Sequence, residues 1–117
     1  MHDFKKLRVW QEARVLGAEI HALTRTFPRS DRAVLASQLR RAALGIAATI
    51  AEGCGKDSRP ETLRYLQIAA GSASETENHL IQAADMHFIS DELCSALADR
   101  ASKLQRGIRK LCRNLPP

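Results

Sequence analysis

Apolar residues recur every three or four positions along four stretches of the chain, which is the spacing of one buried face of an α-helix. This spacing predicts helices at about residues 6–26, 31–53, 59–88 and 91–114. In the last stretch, the repeat includes Leu93, Leu97, Leu104, Ile108, Leu111 and Leu115. We therefore expect an all-α protein.

Residues that typically start or stop helices separate the four stretches. Pro28 ends the first, because the residue before a proline is disfavoured in helical backbone. Ser30 and Ser58 are in position to cap the next two helices with their side-chain oxygens. Gly53 or Gly55 is expected to end the second helix, since glycine readily adopts left-handed backbone.

The short connections and the composition predict one domain, residues 1–117, with a specific topology. Links of about two to six residues force neighbouring helices to run in opposite directions, which favours an antiparallel up-down-up-down four-helix bundle. Only 4% of residues are aromatic, so the chain is poor in residues that favour strands. No stretch is long and apolar enough to span a membrane, and no leader is recognisable. Three widely spaced cysteines favour reduced thiols in a cytosolic protein.

Charge is distributed unevenly along the chain, whose formal net charge is +5. Most of the charged residues in 61–99 are acidic, whereas residues 100–117 contain basic residues and no acidic ones. At about 100° per residue, the cations of the last helix lie opposite its apolar face: Lys103, Arg106, Arg109, Lys110 and Arg113. They either complement the negative end of the helix dipole or bind an anionic partner. No aromatic residue interleaves them, so the pattern favours phosphate contacts over base stacking. Arg40 and Lys56 are secondary candidates for the same role.

A second polar group lies beside the apolar face of the second helix. It consists of Gln38, Arg41, Thr49 and Glu52, with Glu75 of the third helix as a candidate partner. Polar residues at near-heptad spacing are common where another helix or a second subunit packs. We expect ion pairs within the bundle or between subunits, with ligand binding as the alternative.

The sequence offers no recognisable catalytic or metal-binding motif. The Glu-x-x-His pattern of di-iron bundles is absent, and Glu75 with His79 predicts a contact on the flank of one helix. Gly53-Cys54-Gly55-Lys56 lacks the remaining residues of a phosphate-binding loop and follows a predicted helix instead of a strand. We therefore expect no metal, no cofactor and no enzymatic activity.

Several short motifs resemble one known family over nearly the whole chain. In order, they are F-x-x-L-x-V-W-Q-x-A from Phe4 to Ala13, Phe27-Pro28, Gln38-Leu39-Arg40-Arg41-Ala42-Ala43, Ile50-Ala51-Glu52-Gly53, Ser58 with Glu61, and Ile68-Ala69-Ala70-Gly71-Ser72 with Glu75. This set resembles the 23S rRNA intervening-sequence proteins. Gly45 and Thr49 stand where the family usually has serine and asparagine, and Gly55-Lys56 stands where it has Gly-Arg.

The resemblance implies a small bacterial cytosolic protein that forms an antiparallel four-helix bundle and assembles into a ring-like homopentamer. It also implies a distant relation to the accessory proteins of diversity-generating retroelements, basic pentamers that bind nucleic acid and a reverse transcriptase. We expect a non-enzymatic oligomer that binds RNA or DNA through a repeated basic surface. The alternative is a structural adaptor that engages a protein partner and has no nucleic-acid role.

Overall fold

The computed structural model describes residues 3–28 and 33–117, and this part of the chain contains four α-helices and no β-strand. The helices are α1 (Arg8–Thr24), α2 (Ala33–Cys54), α3 (Arg59–Asp85) and α4 (Asp91–Arg113). A short 3-10 turn, Phe4–Lys6, precedes α1. The prediction of an all-α protein is confirmed. The predicted Ser30 cap of α2 lies outside the described residues.

Serine side chains start the third and fourth helices. Ser58 Oγ accepts a hydrogen bond from the backbone N–H of Glu61 at 3.3 Å. Ser90 Oγ accepts one from Leu93 N–H at 3.1 Å. Each bond satisfies one of the N–H groups that the first turn of a helix leaves without a partner.

Helix α3 ends at Asp85, three residues before its predicted end, because the next turn contains left-handed backbone. His87 has a φ of +63°. Its N–H donates to Ala84 O, and the N–H of Phe88 donates to Ala83 O, both at 2.9 Å. This pattern of hydrogen bonds is a Schellman motif, which usually has glycine at the left-handed position. Because the sequence has histidine at this position, it contains no glycine from which the end of α3 could be predicted.

Replacing His87 with glycine is expected to raise the free energy of unfolding by about 1 kcal/mol, because glycine has no Cβ to strain left-handed backbone. The measurement is equilibrium unfolding in urea, followed by circular dichroism. His87→Ala is the control, since alanine keeps the Cβ and gains nothing from the change. Equal stabilities of the glycine and alanine variants would contradict the assignment.

The hydrophobic core lies along the shared axis of the four helices. Consecutive helices pack on one another extensively, whereas α1 and α4 pack against each other less extensively. Many of the fully buried positions are alanines: Ala43, Ala69, Ala70, Ala73, Ala83 and Ala101. Small side chains let helix backbones approach closely, and larger residues such as Leu39, Ile46 and Leu80 fill the remaining space.

Helix α2 ends at Cys54, between Gly53 and Gly55, where the sequence predicts its end, but the expected left-handed backbone is absent from both glycines. Gly53 supports helix packing instead. No glycine in residues 3–28 and 33–117 has a positive φ. A Cβ added to Gly53 would lie 2.9 Å from Tyr65 Cβ on α3. Thr62 Oγ1 of α3 also donates a buried hydrogen bond to Gly53 O at 2.9 Å. Glycine is therefore required at this position for the close approach of α2 to α3.

Contacts between helix termini define the two ends of the molecule, whose longest dimension is 46 Å. At one end, a Cβ added to Gly107 would lie 3.2 Å from Val9 Cγ1, and Arg59 Nε donates to Leu115 O at 3.4 Å. The start of α1, the start of α3 and the last turns of α4 therefore lie together. At the other end, the rings of Phe27 and Phe88 pack with centroids 5.5 Å apart.

Candidate nucleic-acid interface

The cations that the sequence places opposite the apolar face of α4 point away from the core. Lys103, Arg106, Arg109, Lys110 and Arg113 are all exposed. Lys103 Nζ pairs with Asp99 Oδ2 at 3.0 Å, and Arg106 donates to Ser102 Oγ at 2.7 Å. Among the described residues, no carboxylate lies within 4.0 Å of Arg106, Arg109, Lys110 or Arg113. These four cations are therefore available to an anion.

Cations from other parts of the chain lie at the same end of the molecule. Lys5, Lys6 and Arg8 surround the start of α1, next to Val9 and therefore close to Gly107 of α4. Lys56 and Arg59 flank the start of α3, where Arg59 reaches the chain just after α4. We call this set the basic end: Lys5, Lys6, Arg8, Lys56, Arg59, Arg64, Arg106, Arg109, Lys110 and Arg113.

Few of these cations are neutralised by a neighbouring acidic group. Arg8 Nε pairs with Glu12 Oε1 at 2.9 Å on exposed helix surface. Exposed pairs of this kind are weak and screened by salt, so they compete poorly with a phosphate backbone. Some cations also complement the negative end of the α4 dipole, which is compatible with anion binding.

Aromatic side chains from other helices lie at the basic end, although none interleaves the cations of α4. Tyr65 of α3 is half-buried, with Lys56 Nζ 4.9 Å and Arg64 Cζ 5.6 Å from its ring centroid. Trp10, in the first turn of α1, packs against the ring of Phe4, with centroids 5.1 Å apart. The periodicity of α4 does not reveal this arrangement, because the rings of Tyr65 and Trp10 belong to two other helices.

Arg40 does not belong to the basic end. Its side chain is half-buried between α1 and α2, where its Nε donates to Thr24 Oγ1 at 2.5 Å. Thr24 is the last residue of α1, and the basic end surrounds the first residue of that helix. Lys56 lies at the predicted interface, and Arg40 lies at the opposite end of α1.

The residues of the polar group predicted beside the apolar face of α2 do not all lie together in the structure. Gln38, Arg41 and Glu75 line one cavity of about 350 Å³ between α2 and α3, together with Ala42, Ser72 and His79. Thr49 and Glu52 do not line it. Arg41 forms no ion pair with any described acidic residue. His79, interpreted from sequence as a flank contact of Glu75, is buried, and its Nε2 lies 3.7 Å from Glu75 Oε2.

The thiols carry no sign of activation as nucleophiles. Burial raises the pKa of Cys54, of Cys94 and of Cys112, which disfavours the reactive thiolate at neutral pH. Among the described residues, no three His, Cys, Asp or Glu side chains are grouped closely enough to hold a metal ion. None of the described helices has the length and apolarity required to cross a lipid bilayer.

One ion pair joins α1 and α4, which pack against each other less extensively than consecutive helices do. Arg100 of α4 donates to Glu19 of α1, and this hydrogen bond lowers the pKa of the Glu19 carboxyl. A lowered folded-state pKa means that the pair favours folding above the ordinary pKa of glutamate, and that this contribution is lost as the pH falls. Both side chains are substantially exposed, so the contribution to stability is small.

Comparisons with known proteins identify the fold and the family. The chain is similar to a crystal structure of a protein of unknown function from the S23 ribosomal protein family of Bacteroides thetaiotaomicron, with a TM-score of 0.81 and 21% sequence identity. The match covers 89% of this chain and 97% of the other. No curated protein matches the chain. The family model described as "23S rRNA-intervening sequence protein" matches residues 5–110. The chain therefore belongs to the 23S rRNA-intervening sequence protein family.

Proposed function

We propose that this protein binds an RNA or DNA strand through the basic end, by contacts to backbone phosphates. The observation that carries the proposal is the meeting of cations from three separate segments of the chain at one end of the bundle. Four of these side chains, Arg106, Arg109, Lys110 and Arg113, have no carboxylate within 4.0 Å among the described residues. The proposed role requires no catalytic residue.

A phosphate-directed mode fits the chemistry of this surface better than reading of base edges. Arginine and lysine side chains on a convex helix surface reach phosphates without a groove-shaped element. Tyr65, between Lys56 and Arg64, offers a ring next to the phosphate-binding cations. We therefore propose binding with little sequence preference and strong dependence on salt concentration.

We also propose that several copies of the chain assemble, so that their basic ends act together. An assembly would cover some of the large apolar side chains that the single chain leaves exposed: Val15, Val34, Leu44, Ile68, Ile81, Met86 and Leu93. Linked weak sites gain avidity without any new contact. The ring-like homopentamer and the antiparallel up-down-up-down order expected from the sequence belong to this proposal. The contacts between helix termini support that order. A cytosolic location suits both nucleic-acid binding and reduced thiols.

The proposal is tested by titrating the full chain against a fluorescent RNA strand of about 40 nucleotides between ~50 and ~200 mM salt. We expect the logarithm of the association constant to fall linearly with the logarithm of the salt concentration. A DNA strand of the same sequence is titrated in parallel, because phosphate contacts predict similar slopes. Absence of binding at the lowest salt concentration would reject the proposal. Assembly without nucleic-acid binding would instead favour the adaptor role.

A further inference from the structure

Beside the cavity between α2 and α3 lies a buried polar atom that no group of the described residues satisfies. His79 is 8% exposed, and its Nε2 has no hydrogen-bond partner among the described residues. Its Nδ1 lies 2.9 Å from Gln82 Oε1. Since an amide oxygen only accepts, Nδ1 of the neutral ring carries the hydrogen and Nε2 is left as an acceptor. Leaving a buried acceptor of this kind unpaired costs free energy, so we expect a hydrogen-bond donor to bind it.

The carboxylate beside His79 defines the chemistry of that donor. Glu75 Oε2 lies 3.7 Å from Nε2, too far for a hydrogen bond, and both atoms accept. One group with several N–H donors satisfies both atoms if it binds between them. A protonated amine has three donors and carries the charge that Glu75 attracts.

The other side of the cavity has the opposite charge. Arg41 of α2 lines the same cavity and forms no ion pair with any described acidic residue. Its guanidinium presents paired N–H donors that match the two oxygens of a carboxylate. Arg41 and Glu75 therefore face one space without neutralising each other, and Gln38 and Ser72 add further polar groups at its wall.

We propose that this cavity binds a small zwitterion, a molecule with one carboxylate and one protonated amine, such as a free α-amino acid. The carboxylate pairs with Arg41, and the amine donates to His79 Nε2 and to Glu75. The cavity volume of about 350 Å³ is at the lower end of the range for small-molecule sites, which matches a ligand of this size. The site is formed by α2 and α3, and the proposed nucleic-acid interface is a separate surface.

The test adds the common L-amino acids one at a time to the isotopically labelled full chain and follows the ring nitrogens of His79 by NMR. We expect at least one of them to shift the Nε2 resonance saturably. Acetate and methylammonium each carry a single charge, so at the same concentration they should not. Absence of a saturable shift with every amino acid would overturn the proposal.

Variants separate a ligand site from a contact between copies. Arg41→Gln and Glu75→Gln should each weaken binding of the responding amino acid at least tenfold, whereas the exposed control His21→Gln should leave it unchanged. Circular dichroism verifies that each variant is folded. Unchanged affinity in both cavity variants would overturn the proposal. A second result would also overturn it: the parent protein binds no amino acid, and the two cavity variants lose self-assembly. The cavity would then be a contact between two copies of the chain.

Discussion

Replacing Arg106, Arg109 and Arg113 together with glutamine is expected to weaken RNA binding about 100-fold at ~0.15 M salt, since each lost phosphate contact costs several-fold in affinity. The three side chains are exposed on one face of α4 and have no carboxylate within 4.0 Å among the described residues. The salt slope should fall by about 2 to 3 for the same reason. Fluorescence anisotropy with the labelled RNA strand measures both quantities.

The matched control replaces the same three arginines with lysine. Lysine keeps each positive charge, so affinity and salt slope should stay within about threefold of the parent protein if phosphates are the ligands. A single Arg25→Gln variant, at the far end of α1, should bind as the parent does. Equal affinities of the glutamine variant and the parent would exclude α4 from the interface. A loss of binding in the lysine variant would exclude a simple phosphate mode.

Replacing Gly53 with alanine is expected to lower the free energy of unfolding by about 1–3 kcal/mol, the usual cost of overpacking a core. The new Cβ would lie 2.9 Å from Tyr65 Cβ and 3.4 Å from the backbone oxygen of Thr62. Neither neighbour is the flexible end of a long side chain, so α2 and α3 have to move apart. Urea unfolding measures the effect.

The control is the same substitution in the same helix at Gly45. A Cβ added there has no heavy atom within 4 Å, so alanine contributes only its better helix propensity. Gly45→Ala should raise the free energy of unfolding by about 0.5–1 kcal/mol. Shifts of the same sign in the two variants would contradict the packing role of Gly53.

Apolar periodicity was sufficient to predict the all-α class, because a helix buries one face and that face repeats in the sequence. The serine cap at Ser58 was visible for a similar reason, since its hydrogen bond lies within one turn. The outward direction of the α4 cations also followed from helix geometry alone. These properties depend on residues that are close in sequence.

Two of the positions that were wrong or missed depend on residues far apart in the chain. The packing role of Gly53 depends on Tyr65, and the position of Arg40 depends on Thr24. The turn at His87 was missed for a different reason. It requires left-handed backbone, a conformation in which glycine is the usual residue, and here the residue is histidine.

The sequence by itself determined that the chain forms amphipathic helices with a cationic face on the last one, because both properties repeat with the period of a single helix. Only the tertiary structure decided which charges meet. Packing of the helices brings Arg8 and Lys56 to the same end as Arg113, and it arranges Arg41 and Glu75 around one cavity beside His79. The physical reason is that charge density and the desolvation of a buried nitrogen depend on distances in space, and one helical period does not fix those distances.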